Sequence, residues 1–141
     1  MGQQEITTIN LSAFERGVLR MLLSEQTGGG KTPWVLEKFS QDLDFTEQEC
    51  LDWDVVTLPN GAQQWNGNKT TERSFDLGPW RVKKVREVLT TLLASGQVNF
   101  VRHLSLLRKF DVTPPDSGDP DLDAEFAALT AAPDDGQSAV A

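Results

Sequence analysis

The chain has 141 residues and 15.6 kDa, with 38% hydrophobic and 24% charged residues, which is one ordinary globular domain's worth of sequence. No run approaches the roughly 20 apolar residues of a membrane span. The opening Met1-Gly2-Gln3-Gln4-Glu5 lacks the basic and apolar regions of a secretory signal, and the sole cysteine, Cys50, cannot form an internal disulfide, so a cytoplasmic protein that does not engage membranes is expected. The net charge of −8 argues against a simple polyanion binder.

That charge is a sum of unlike blocks. Residues 1–68 sum to −6, residues 69–110 to +6, and residues 111–141, with eight acidic and no basic side chains, to −8. A boundary falls near Phe110, where periodic apolar sequence gives way to a Pro- and Asp-rich stretch unable to bury enough apolar surface to offset its ordering entropy. The expected organisation is a helical domain over 1–110 and an acidic flexible tail over 111–141.

In chain order, Ser12 and Glu15 form a capping-box pattern that opens a helix reaching about Ser24, with Phe14, Val18, Leu19, Leu22 and Leu23 as its stripe. Gly28-Gly29-Gly30 ends it. Thr32 as cap and Pro33 at the first helical position start a second helix, with Val35, Leu36, Phe39 and Leu43 inward. Thr46 and Glu49 repeat the capping box before a short helix carrying Cys50, Leu51 and Trp53. A hairpin is expected near 62–77, with strands Ala62–Trp65 and Ser74–Leu77 about Asn66-Gly67-Asn68. Gly78-Pro79 launches the longest helix, lined by Val82, Val85, Val88, Leu89, Leu92 and Leu93 and closed by Ser95-Gly96. A last body helix presents Phe100, Val101, Leu104, Leu107 and Phe110. The fold class expected is mainly α with one β-hairpin (α+β), a compact helical domain compatible with a winged-helix shape.

Candidate chemistry is sparse. Gly28-Gly29-Gly30-Lys31-Thr32 looks like the end of a phosphate-binding loop, but Glu25 stands where the first glycine is required, and the segment follows a helix instead of a strand. His103, the only histidine, sits among apolar neighbours and reads as structural. Cys50 reads as packing. Asp42, Asp44, Asp52 and Asp54 match no calcium-loop spacing, so no catalytic residue, cofactor or metal is expected. If helices 33–54 were a helix-turn-helix, its second helix would carry Glu47, Glu49, Asp52 and Asp54 with no cation, which phosphates would repel. These four instead form a candidate acidic partner face. Arg81, Lys83, Lys84 and Arg86 form a candidate basic face, suited to an acidic protein or, as the alternative function, to nucleic acid held by helix 79–95 and the hairpin. Trp34, Trp53, Trp65 and Trp80 read as core or rim, with Trp65 the candidate interface anchor. In the tail, Leu122, Phe126 and Leu129 fall at i, i+4 and i+7 among acidic residues, which predicts a short partner-binding helix over 121–132.

Leu11-Ser12-Ala13-Phe14-Glu15-Arg16-Gly17-Val18-Leu19-Arg20-Met21-Leu22-Leu23 opens a longer pattern. It continues through Leu36 to Leu43, Phe45-Thr46-Glu47-Gln48-Glu49, the Trp65 strand, Phe75-Asp76-Leu77-Gly78 and Leu107-Arg108-Lys109-Phe110. This layout resembles that of small uncharacterised phage and prophage proteins over about residues 11–110. The resemblance implies an accessory role in a host cytoplasm and brings no family chemistry; the Gly28–Gly30 run and the acidic extension depart from it. Together these readings point to a non-enzymatic, phage-type accessory protein that acts as an inhibitor, modulator or assembly partner of another protein through its charged faces and tail.

Overall fold

A computed structural model of the chain describes residues 5–130. The order is β1 (Thr7–Leu11), α1 (Ala13–Ser24), α2 (Thr32–Leu43), α3 (Glu47–Asp52), β2 (Val56–Thr57), β3 (Gln63–Gln64), β4 (Arg73–Leu77), α4 (Pro79–Ala94), α5 (Phe100–Lys109) and α6 (Pro120–Thr130). The described residues therefore form a mainly helical α+β fold.

Local signals set most of the helix boundaries. Both expected capping boxes form, Ser12 with Glu15 at α1 and Thr46 with Glu49 at α3. Helix α2 starts one residue earlier than expected. Lys31 is its N-cap and Thr32 its first helical residue, so the threonine hydroxyl makes no cap. Gly78 caps α4, and Gly96, at φ +73°, supplies the left-handed residue that ends it.

The strands pair differently from the expected hairpin at 62–77. Residues 62–65 and 74–77 do not meet. β4 pairs antiparallel with β1, Ile9 opposite Phe75, a strand the sequence reading passed over because its alternation lasts only five residues. Ile9, Leu11, Phe75 and Leu77 face the core, while Thr8 donates to Asp76 and Ser74 to Asn10 on the other face. The hairpin is β2–β3, Val56 opposite Gln64, and it turns at Pro59-Asn60-Gly61, where the Gly61 N–H donates to Leu58 O at 2.9 Å and Gly61 takes φ +87°. Asn66-Gly67-Asn68 instead forms an Asx turn in the β3–β4 connection. The Asn66 side chain accepts from the Asn68 N–H, and its own N–H donates to Trp53 O.

α1 is the central element, packed on α2, α4 and α5. The core joins Val18, Leu19, Leu22 and Leu23 of α1 to Leu36, Phe39 and Leu43 of α2, Val85, Val88 and Leu89 of α4, and Leu106 and Leu107 of α5 with Phe110 at its C-cap. Val112 packs against this cluster, so the packed body runs two residues past the expected edge at Phe110.

Several expected core positions turn outward. Phe14 on α1, Val35 on α2 and Leu51 on α3 are exposed and Cys50 is half-buried; Trp53 is the buried residue of that segment. On α5, Leu107 and Phe110 are buried as expected and Leu104 is half-buried, but His103 and Leu106 complete the buried stripe while Phe100 and Val101 are exposed. The expected tail helix 121–132 is α6, and its last two expected positions lie outside the described residues.

Candidate functional site

The strongest polar constellation is internal. Arg16, in the apolar stripe of α1, is fully buried. Its Nε donates to Leu43 O at 2.9 Å and its Nη2 to Asp44 O at 2.7 Å, while Nη1 and Nη2 grip both oxygens of Glu49 at 2.9 Å. Phe45, Trp53 and Phe75 surround the guanidinium, with ring centroids 4.9 to 5.7 Å away. Burial pushes the Glu49 carboxyl up, but the Arg16 hydrogen bonds, the Thr46 N–H and the Arg16 and Arg73 charges outweigh it, so the group stays below the usual carboxylate range. Arg16 thus fixes the α2–α3 corner to α1. It is a structural hub that sequence reasoning missed.

The four residues of the expected acidic face have separate duties. Glu49 is turned inward to Arg16 and Arg73 and closes the α3 capping box. Asp54, at φ 55°, pairs with Lys69 at 2.9 Å, and Asp52 accepts from Gln48. Glu47 is exposed at the start of α3. The expected basic face is similarly divided. Arg81 pairs with Asp42 at 3.0 Å and lies over the Phe39 ring, Lys84 pairs with Glu87, and Arg86 donates to Asp111 O. Lys83 is exposed with no carboxylate partner among the described residues. Trp65 is no exposed anchor either: it is half-buried, edge-on to Phe45 at 5.3 Å, in one aromatic cluster with Trp53. The exposed tryptophans are Trp34 and Trp80.

His103 is a capping partner. Its Nδ1 accepts the Asn99 N–H at 3.0 Å while the Asn99 side chain accepts from the Val101 and Arg102 N–H groups, a reciprocal arrangement at the start of α5. Burial, aided by the Arg102 charge, pushes the imidazole below its usual pKa. Among the described residues no three His, Cys, Asp or Glu side chains are grouped to hold a metal ion.

Apolar surface, by contrast, is left open at one end of the molecule. Leu93 of α4, Val98, Leu104, Leu107 and Arg108 of α5, Asp111 to Pro114, and Phe126 and Leu129 of α6 line a cavity of about 470 Å³. α6 forms one wall, yet Leu122, Phe126 and Leu129 remain 55%, 40% and 81% exposed. One turn back along α5 from Leu104, Phe100 and Val101 are 76% and 70% exposed. Of the expected contact residues, the cleft brings together Phe126 and Leu129, with Leu122 on the same helix. It adds Leu93, Val98 and Leu104, whose only signal in the sequence was an apolar excess around α5.

No protein-family model matches the chain, and neither a curated protein nor a solved structure does.

Proposed function

We propose that the chain is a non-enzymatic accessory domain, of the phage type that its layout resembles, which binds another protein in the cleft between α4, α5 and α6. One observation carries this reading: the cleft is apolar surface that α6 covers only in part, and Phe100 and Val101 on the same helix α5 are exposed as well. A preformed apolar cleft flanked by a helix suits a partner helix laid into a groove. Four of the eight charged-face residues, Glu49, Asp54, Arg81 and Lys84, are paired within the fold, so this reading assigns the contact to the cleft and tail helix.

A photo-crosslinking residue at position 100 or 129, introduced into the full chain and irradiated in extract of the native cell, should yield one discrete protein adduct. Position 52, on α3, should yield none. Adducts from 52 and none from 100 or 129 would overturn the assignment.

A second reading, nucleic acid held by the α4 face, draws on Lys83 and Arg86, which have no carboxylate partner among the described residues, beside exposed Trp80. Two uncommitted cations correspond to a salt slope of only about 2, at roughly 0.9 per phosphate. A steep loss of DNA or RNA binding with salt, abolished by Lys83→Glu, would favour this reading over the cleft.

A further inference from the structure

We propose that the cleft takes an acidic amphipathic helix bearing bulky apolar residues at i, i+4 and i+7, and that α6 is an in-chain stand-in which a better-fitting helix displaces; this rests on the protein-binding reading above. The cleft's walls define the ligand. Apart from α6 itself they are Leu93, Val98, Leu104, Leu107, Val112, Thr113 and Pro114, with one acid, Asp111, and one cation, Arg108, which has no carboxylate partner among the described residues. An apolar trough with an unmatched guanidinium on its wall fits a helix whose apolar stripe is bordered by carboxylates.

α6 has that composition, Asp121-Leu122-Asp123-Ala124-Glu125-Phe126-Ala127-Ala128-Leu129, and it is seated there through Phe126 and Leu129. Its fit is incomplete in two respects. Leu122 and Leu129 stay more than half exposed. Two of the acids around its start are turned to its own N-terminus: Asp123 accepts from the Ser117 N–H and hydroxyl, and Asp119, just ahead of the helix, accepts from the Asp121 and Leu122 N–H groups. Arg108 is left for another helix. Beyond Val112, residues 113–119 join α6 to the body, a tether that can span roughly 24 Å when extended, so α6 can leave the cleft without strain on α5. While tethered it competes at a high effective concentration and lowers the apparent affinity for any incoming helix.

The probe is a fluorescein-labelled peptide with the sequence of residues 119–130, titrated into the full chain and followed by anisotropy. Phe126→Ser with Leu129→Ser in the full chain weakens the stand-in without touching the core, and should tighten peptide binding by roughly tenfold. Arg108→Glu in that background should weaken it by roughly fivefold or more, and a peptide with Ser at both apolar positions should not bind. Equal affinity of the wild-type and Phe126→Ser/Leu129→Ser chains would overturn α6 as occupant, and indifference to Arg108→Glu would overturn the acidic partner. If position 100 still crosslinks a protein while the peptide binds neither chain, the partner chemistry is wrong and the protein-binding reading stands. If position 100 crosslinks nothing and the peptide also fails, both fall.

Discussion

Arg16 and His103 show what single residues do here. Each occupies a buried position in an otherwise apolar stripe, and each is accepted because its polar atoms are answered: the Arg16 Nε and both terminal nitrogens are engaged, and His103 Nδ1 accepts a helix-start N–H. Removing one partner of such a buried pair strands the other. Arg16→Met should cost about 3 kcal/mol of stability in urea denaturation, and Arg16→Met with Glu49→Met should cost less than the two single changes added together. For His103 the pH dependence follows from the direction of its shift. The folded pKa lies below the ordinary 6.5, so its contribution is complete above that value and declines as pH falls toward the folded pKa. Melting temperature should therefore slope downward below pH 6.5 in the wild type, and His103→Asn should flatten that limb. An unchanged slope in the variant would place the titrating group elsewhere.

At the level of elements, the same two residues explain what could and could not be read from the sequence. Capping boxes at Ser12 and Thr46, the Pro79 start and the Gly96 stop are local chemistry, so helix boundaries were legible. The buried stripe of α5 was legible only in its second half, Leu107 and Phe110, because its first half begins with a polar residue, His103, and counting only apolar residues puts Phe100 and Val101 there instead. Arg16 hides within α1 for the same reason. The hairpin posed a different problem. Two Asn-Gly pairs lie within reach, and only long-range pairing decides between them: β4 finds a five-residue partner in β1, which leaves Asn60-Gly61 to turn the short β2–β3 ribbon. The cleft was legible only in part. The α6 triplet shows in the sequence, whereas its opposite wall is assembled only when the fold brings Leu93, Val98, Leu104 and Val112 together. The exposure of Phe100 and Val101 makes a sharp stability prediction: Phe100→Ser and Val101→Ser should each change unfolding free energy by less than about 0.5 kcal/mol, as surface positions do, whereas Leu106→Ser should cost several times more.

For the whole molecule, the segregation of charge along the chain becomes a device for cohesion. Cations of the basic block reach back to acids of the first block: Lys69 to Asp54, Arg73 to Glu49, Arg81 to Asp42, and Lys109 to Glu15 at 2.7 Å. The opposed blocks therefore fold onto one another, and Glu49, Asp54 and Arg81 of the separated faces are engaged in doing so. Glu15, Asp42 and Glu49 are each pushed up by burial, yet all end below their ordinary values of 4.5, 3.8 and 4.5 because the hydrogen bonds and charges of their partners dominate. Lys109 is raised above 10.5, since Glu15 and Glu72 outweigh its own desolvation. The two signs bracket the stable range. Lowered carboxylates give stabilisation that is complete above their ordinary values and is lost as pH falls through the folded ones; a raised lysine gives stabilisation complete below 10.5 and lost as pH rises through its folded value. Urea midpoints should thus be level from about pH 6.5 to 10 and fall steeply below about pH 4.5. Because Glu15 and Glu49 tie the two blocks together, Glu15→Gln with Glu49→Gln should lower the neutral plateau and blunt the acid limb at once. A plateau that drops while the acid limb keeps its full steepness would show that the acid sensitivity arises outside these cross-block pairs.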